Sequence, residues 1–245
     1  MSASGAVVTP PSRGDLIVYR ICRFIAVGVS RLYFPGTVMG RENLPAGGAF
    51  IVAPVHRSYV DWLIVARITR KQRLRYIVKE EVWKSKLIGR LLVACGAFPV
   101  NRSGADREAL QRCQAVLMGG EPLVMFPEGT RRSGPEVQEL KDGVAYLSLR
   151  AGVPVVPVGI GGSERAMPRG SSFPRPRRVN VVIGPPIPAC NPADAGGRDQ
   201  SGETLDPAAK RRRARVGREA ITEQSMRVRA AIQRAFDAAE ASFRR

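Results

Sequence analysis

The chain has 245 residues, of which 39 are lysine or arginine and 21 are acidic, so its formal net charge at pH 7 is +18. This length suits one large α/β domain or two small ones, and an apolar content of 44% allows a substantial core. The positive excess predicts an anionic partner: nucleic acid, an anionic membrane surface or a phosphorylated substrate. Aromatic residues make up only 6% of the chain and are not interleaved with the arginines, which argues against a nucleic-acid stacking surface.

The cysteines and the apolar runs exclude further classes of protein. The four cysteines are widely spaced, and the chain has one histidine, so neither a zinc site nor a disulfide framework is predicted. No uncharged run reaches the roughly 18 residues of a transmembrane helix, and the first residues lack the pattern of a signal peptide. We therefore expect a protein of the reducing cytosol that does not span a bilayer but can lie on one.

Residues 15–34 have the spacing of a helix. At about 100° per residue, Arg20, Arg23 and Arg31 fall on one side of this helix. The apolar residues opposite them are Val18, Ile21, Cys22, Ile25, Val29 and Leu32. A basic face beside a wide apolar face is typical of a helix in a membrane interface, and we assign residues 15–38 to such an element. The alternative is that the apolar face packs on the protein's own core.

From Leu44 onward, short apolar runs alternate with segments of helical period. The apolar runs predict strands at residues 50–55, 75–78, 97–100, 123–126, 155–159 and 179–183. The segments that predict helices are 59–68, 81–94, 105–118 and 137–150. This alternation is typical of an α/β fold with a largely parallel central sheet flanked by helices, whose active site lies at the carboxyl ends of the strands.

The two ends of the chain differ in composition from its middle. We assign residues 39–190 to the core domain, 191–206 to a linker, and 207–245 to a basic C-terminal helix docked on the core. Residues 1–14 are small and polar and are expected to be disordered. The basic run 210–218 is either a solvated face or a contact with anionic lipid headgroups.

The stretch 51–61, IVAPVHRSYVD, contains the only histidine of the chain. His56 follows a predicted strand, and Asp61 comes five residues later, after Ser58, a good N-cap. Residues five apart on one helix do not face each other, so His56 must precede the helix if Asp61 is to reach its ring. The carboxylate would then fix the imidazole tautomer and leave the other nitrogen free as a general base. The alternative is that Ser58 and Asp61 form only a capping box.

Further polar clusters also follow predicted strands, so we expect them at the same edge of the sheet as the histidine. They are Lys79, Asn101 with Arg102, and the run 127–132, PEGTRR. A glycine in such a loop lets a ligand approach the backbone, and arginine can bind phosphate with two parallel hydrogen bonds. Because Glu128 lies beside two arginines, we expect an ion pair that orients one of them.

Taken together, these segments resemble the sequence blocks of the 1-acyl-glycerol-3-phosphate (lysophosphatidic acid) acyltransferases and their glycerol-phosphate acyltransferase relatives. The blocks are H-x-x-x-x-D at 56–61, VNR at 100–102, FPEGTRR at 126–132 and VPVVPVGI at 153–160. The resemblance covers residues 40–188. The chain departs from the family pattern at Val55, where many members have Asn, and at Arg132 with Ser133, where many have Ser-Arg.

The resemblance implies that His56, oriented by Asp61, removes a proton from a hydroxyl of a glycerol-phosphate lipid. The alkoxide then attacks the thioester of acyl-CoA or acyl-carrier protein, and no metal or bound cofactor is required. The implied phosphate ligands are Arg131, Arg102 and Lys79, and the implied pocket residues are Glu128, Gly129, Thr130 and Pro154. The expected product is phosphatidic acid, made by a peripheral protein on the cytoplasmic face of the cell membrane, with an anionic membrane surface and no nucleic acid as partner.

Other functions are compatible with the same residues. An acyltransferase for glycerol-3-phosphate or another lysophospholipid would share the motifs, because the pocket walls set the size of the acceptor. A thioesterase could use the His56–Asp61 pair to activate water and would not need the phosphate-binding arginines. A non-enzymatic protein that binds anionic surfaces would account for the charge but not for His56.

Overall fold

A computed structural model describes residues 13–69, 72–79, 83, 89, 92–93, 95–100, 106–189 and 217–243. The helices are α1 Arg13–Tyr33, α2 Asp61–Val65, α3 Asp106–Met118, α4 Gly143–Ala151, α5 Ser163–Ala166 and α6 Arg218–Ala241. The strands are β1 Val38–Met39, β2 Ile51–Pro54, β3 Arg75–Lys79, β4 Ala97–Val100, β5 Leu123–Val124, β6 Val155–Gly161 and β7 Asn180–Ile183. Most of the helix predicted at 81–94 and the whole linker predicted at 191–206 lie outside the described residues.

The strands form one sheet in the order β1-β7-β6-β2-β5-β3-β4. All neighbours from β6 to β4 are parallel, while β7 runs antiparallel to β6 and carries β1 in parallel at its outer side. Every residue of β2 and β6 is buried, which explains why these strands read as continuous apolar runs rather than alternating ones. The predicted α/β fold with a largely parallel sheet is confirmed.

The C-terminal helix α6 packs closely on β6 because that strand contains two glycines. A Cβ at Gly159 would lie 2.1 Å from the carbonyl oxygen of Ala235, and one at Gly161 would lie 2.7 Å from that of Ala239. Ile232 of α6 is fully buried in this contact layer. The helix backbone therefore rests directly on the strand, so α6 is part of the core that supports the carboxyl end of β6.

The helix predicted at 137–150 begins later, at Gly143. In residues 137–142, which are not helical, three backbone N–H groups donate to other parts of the protein. The pairs are Val137 N–H to Gln233 Oε1 at 2.7 Å, Gln138 N–H to Glu128 Oε1 at 3.1 Å and Lys141 N–H to the Pro127 carbonyl at 2.9 Å. The helical spacing of apolar residues thus extends into residues 137–142, where the backbone is not helical and forms tertiary hydrogen bonds.

The predicted apolar face of α1 points away from the protein. We call it the apolar strip: Ile17, Val18, Ile21, Phe24, Ile25, Val29 and Leu32. Phe24 is 80% exposed and Leu32 is 87% exposed, so the alternative in which this face packs on the core is wrong. The opposite face buries Tyr19, and Arg23, predicted on a basic outer face, donates inward to the Thr69 carbonyl. Within the described residues, we find no helix with the length and apolarity needed to cross a bilayer.

Candidate active site

The loop between β2 and α2, residues 55–60, is called the His56 turn. His56 lies before α2, as the predicted contact with Asp61 required, and its Nδ1 is 2.9 Å from Asp61 Oδ2. Asp61 is fully buried, whereas the imidazole is 19% exposed. An ionised carboxylate can only accept a hydrogen bond, so Nδ1 carries the proton. Nε2 is then the ring nitrogen with a free lone pair.

The same carboxylate oxygen also fixes the backbone of the turn. Asp61 Oδ2 accepts hydrogen bonds from the N–H groups of Arg57 and Ser58, both at 2.7 Å. One half of the predicted capping box is therefore present together with the histidine contact. Ser58 is not the N-cap, since Val60 holds that position without a side-chain cap. The Ser58 hydroxyl instead donates to the Met167 carbonyl at 2.9 Å.

The loop after β5 holds the imidazole from a second side. The rings of Phe126 and His56 lie 4.1 Å apart between centroids, at an interplanar angle of 31°. The N–H of Arg132 donates to the His56 carbonyl at 2.9 Å. These contacts arise because β2 and β5 are parallel neighbours, so the loops that follow them meet. Sequence reasoning did not identify Phe126 as an orienting residue.

Glu128 is buried behind the His56 turn. Its Oε2 accepts from the His56 N–H at 3.0 Å, and its Oε1 accepts from the Gln138 N–H at 3.1 Å. Its ion-pair partner is Arg57, whose Nη1 lies 2.9 Å from both carboxylate oxygens. Glu128 is therefore ion-paired as expected, but with Arg57 and not with Arg131 or Arg132, the two arginines that follow it closely in the sequence.

Arg57 is 1% exposed and links the His56 turn to two other parts of the protein. Its Nε donates to the Gly134 carbonyl at 3.2 Å and its Nη2 to the Glu136 carbonyl at 2.8 Å. Its guanidinium carbon lies 5.1 Å from the ring centroid of Phe236 on α6. The Arg57–Glu128 pair thus ties the backbone of the turn to the supporting core.

Arg131 is held beside the turn but keeps donors available. Its guanidinium carbon lies 3.3 Å from the ring centroid of Tyr59. Its Nη1 is buried without a hydrogen-bond partner among the described residues. A buried donor without a partner is costly, and an anion bound there would remove that cost. The geometry therefore suits the predicted binding of a phosphate by Arg131.

A lysine that sequence analysis did not assign to the site lies over the same loop. A Cβ at Gly129 would lie 2.6 Å from Cε and 3.3 Å from Nζ of Lys141. Glycine at this position therefore allows the lysine side chain to cross the loop, in addition to supplying the left-handed φ. Thr130, predicted to line the pocket, is exposed on this loop.

The remaining predicted residues divide into two groups. Lys79 and Val100 end β3 and β4 in register at the carboxyl edge of the sheet. The side chain of Lys79 and all of Arg102 lie outside the described residues, so their roles stay predictions. Pro154 immediately precedes β6, and its place in the pocket also stays a prediction. Its carbonyl accepts from the N–H of Ile51, at the opposite end of β2 and about 13 Å of strand away from the His56 turn.

Comparison with known proteins places these residues in a family context. The family model described as Acyltransferase matches residues 36–161, which include the His56 turn and Arg131. The 1-acyl-sn-glycerol-3-phosphate acyltransferase of Chlamydomonas reinhardtii is 32% identical over 168 residues, which cover 66% of this chain and 49% of the relative. The protein of the same name from Bacillus subtilis is 28% identical over 170 residues, which cover 69% of this chain and 82% of the relative.

A solved structure shares the fold. The crystal structure of the 1-acyl-sn-glycerophosphate (LPA) acyltransferase PlsC from Thermotoga maritima matches with a TM-score of 0.61 and 24% sequence identity. The match covers 86% of this chain and 81% of that one. The chain also spans only about half the length of the algal relative, at 49%.

Proposed function

We propose that this chain, which belongs to the acyltransferase family, transfers a fatty acyl group from an acyl thioester to a free hydroxyl of 1-acyl-glycerol-3-phosphate. The family match agrees with the family predicted from the sequence blocks, and the curated relatives are named for this activity. The observation that carries the proposal is the position of Arg131 beside the His56–Asp61 pair, with a buried donor that has no partner among the described residues.

In the proposed reaction, Nε2 of His56 takes the proton of the acceptor hydroxyl as its oxygen bonds to the thioester carbonyl carbon. The tetrahedral intermediate collapses, the carbon–sulfur bond breaks, and the imidazolium returns the proton to the leaving thiolate. Asp61 stabilises the imidazolium through Nδ1. General-base assistance of this kind is worth about 10²–10⁴-fold in rate.

Binding of the acceptor's phosphate positions the reacting hydroxyl of the acceptor. Arg131 and Lys141 lie on the loop next to the His56 turn, and Lys79 and Arg102 are predicted to add cations from the ends of β3 and β4. A phosphate held by such a clamp would fix the reacting hydroxyl relative to Nε2, which makes attack effectively unimolecular. Glu128 supports this arrangement from the interior by holding the His56 N–H.

The donor in this proposal is acyl-CoA or acyl-carrier protein, and the two substrates react without a resident metal or cofactor. The product is phosphatidic acid, an intermediate of phospholipid biosynthesis. We propose that α1 rests its apolar strip on the cytoplasmic face of the cell membrane, where acceptor and product reside. The exposure of the strip and the net charge of +18 support peripheral binding to an anionic surface.

The test is transfer of palmitate from palmitoyl-CoA by purified protein, with lysophosphatidic acid and glycerol-3-phosphate as parallel acceptors. We expect phosphatidic acid from lysophosphatidic acid, and a loss of about 10³-fold or more in His56→Ala. Product from glycerol-3-phosphate alone would keep the chemistry and change the acceptor. Thiol release without lipid product, unaffected by Arg131→Ala, would instead identify a thioesterase. Absence of any His56-dependent reaction, with a carrier-protein donor as well, would refute the enzymatic proposal.

A further inference from the structure

The segment between α5 and β7 takes no part in the proposed chemistry. We call residues 167–178, MPRGSSFPRPRR, the basic loop. It contains Arg169, Arg175, Arg177 and Arg178 and no acidic residue. All of these arginines are exposed, and Phe173, between them, is 81% exposed.

The conformation of the basic loop is defined by its own hydrogen bonds. The Ser171 N–H donates to the Pro168 carbonyl at 3.0 Å, and the Ser171 hydroxyl donates to the Phe173 carbonyl at 2.9 Å. The Arg175 N–H donates to the Ala166 carbonyl at 2.7 Å. Phe173 is therefore presented to solvent by an ordered backbone, although turning its ring inward would gain apolar burial.

The basic loop lies between the site and the end of α1. At its start, the Met167 carbonyl accepts from the Ser58 hydroxyl of the His56 turn at 2.9 Å. Further along, the Pro174 carbonyl accepts from the Tyr33 hydroxyl, at the last residue of α1, at 3.0 Å. Phe173 directly precedes the residue that is hydrogen-bonded to the end of α1, and both Phe173 and Leu32 of the apolar strip are exposed. The basic loop is thus hydrogen-bonded both to the His56 turn and to the last residue of α1.

We propose that the basic loop is a second membrane-contacting element, which inserts Phe173 into the interface of an anionic bilayer. The arginines around it would bind lipid phosphates while the ring enters the boundary of the acyl chains. Because the loop is hydrogen-bonded to the His56 turn, its insertion would set the height of the active site above the lipid. Only this last step rests on the proposed function, since membrane binding itself does not depend on catalysis.

The choice of a bilayer follows from the combination of residues. The negative charge of an acidic protein or a nucleic acid would attract the arginines. Binding to either of these partners does not explain why the apolar ring of Phe173 is exposed at the centre of the loop. A membrane interface offers a negative surface and an apolar layer within the length of one side chain. The same pairing of arginines with exposed apolar residues occurs on α1, where Arg20 and Arg31 flank the apolar strip.

The experiment is co-sedimentation of the full chain with vesicles of phosphatidylglycerol and phosphatidylcholine, or of phosphatidylcholine alone. Phe173→Ser should weaken binding to the anionic vesicles about 10-fold. Arg175→Gln combined with Arg177→Gln should weaken it about 25-fold, at roughly 5-fold for each charge, and should reduce its salt dependence. The matched controls are Met118→Ser, 71% exposed at the end of α3, and Arg234→Gln, exposed on α6. Both controls should bind within about 2-fold of wild type.

Binding of Phe173→Ser equal to wild type would overturn the proposal. A second result would also overturn it: the arginine variants lose binding both to single-stranded DNA and to vesicles, while Phe173→Ser keeps both. That result would identify a site for polyanions in general. Transfer to a short-chain, water-soluble lysophosphatidic acid should be unchanged in Phe173→Ser, and transfer to a vesicle-embedded acceptor should fall. If wild type transfers no acyl group at all, the binding measurements still decide the role of the loop. Normal acyl transfer together with unchanged vesicle binding in Phe173→Ser would refute the membrane role of the loop but would not contradict the proposed function.

Discussion

The His56 turn and the surface made by α1 and the basic loop both contain arginine, but the role of arginine differs between them. In the turn, Arg57 is buried and its guanidinium donates to Glu128 and to the carbonyls of Gly134 and Glu136. On the surface, the arginines of the basic loop are exposed and surround an exposed phenylalanine. The first arrangement fixes a geometry, whereas the second leaves charge available to a partner.

The arginines that contribute to the net charge of +18 have different roles in the structure. Arg67, like Arg57, is buried and donates to backbone carbonyls, those of Phe34 and Gly36. Such residues add little to attraction at a distance, because their role is to satisfy internal acceptors. Arg131 belongs to neither kind, since it is held in place by Tyr59 yet keeps a buried donor without a partner among the described residues. The partners of each guanidinium therefore predict its role better than total charge does.

The largest expected effect concerns the interior of the turn. Asp61→Asn should lower kcat by about 10³–10⁴-fold, because the amide no longer holds the imidazole in the tautomer that leaves Nε2 basic. Acyl transfer to lysophosphatidic acid measures the loss, with the exposed Asp142→Asn as the matched control. Activity of Asp61→Asn within 10-fold of wild type would mean that the carboxylate serves only to cap the turn.

The next effect tests whether the Arg57–Glu128 pair fixes the turn. Arg57→Met should lower the free energy of unfolding by about 3–5 kcal/mol, because Glu128 is left buried and unpaired. Arg57→Met combined with Glu128→Leu should recover much of this stability but should have low activity, since replacing Glu128 removes the acceptor of the His56 N–H. Urea denaturation and kcat are measured on both variants, and the exposed Arg234→Met should change stability by less than about 0.5 kcal/mol. Recovery of full activity in the double variant would show that the pair contributes stability alone.

Much of this interior could be predicted from the sequence. The order of strands and helices follows from apolar periods, and the position of His56 before α2 follows from the five-residue offset to Asp61. Parallel neighbours bring the ends of their strands together, so the meeting of the His56 turn with the loop of Glu128 was also expected. These inferences succeed because each depends on local geometry or on a general property of parallel sheets.

Three other features depend on tertiary contacts that no local pattern encodes. The Arg57–Glu128 pair joins residues separated by 71 positions, so it requires that β2 and β5 be neighbours in the sheet. The late start of α4 depends on acceptors supplied by Glu128 and by α6. The period of α1 defines an apolar face but not whether core or solvent meets it.

A smaller effect is expected for Arg131, at the boundary between the two regions. Arg131→Met should raise the KM for lysophosphatidic acid about 10–100-fold, since a charge-assisted hydrogen bond to phosphate is lost. Stability should change little, because Nη1 has no acceptor among the described residues to leave unpaired. The neighbouring Arg132→Met, whose side chain is exposed, is the control. If both variants raise KM equally, the loop attracts the acceptor through general charge and not through a built site.

The smallest effect involves two cysteine thiols, Cys113 and Cys95. Burial raises the pKa of Cys113 from 9.0 to about 12, and burial together with neighbouring Cys22 raises that of Cys95 to about 11. The folded state therefore favours the protonated thiols, and this contribution to stability is complete below pH 9 and is lost as the pH rises toward 11–12. Between pH 8 and pH 10.5, wild type should lose about 1–2 kcal/mol more of its unfolding free energy than Cys113→Ala, as measured by urea denaturation. Equal losses in the two proteins would mean that Cys113 ionises as readily in the folded chain as in the unfolded one. The interior would then accept a thiolate that has no charged partner, whereas buried Glu128 is paired with Arg57.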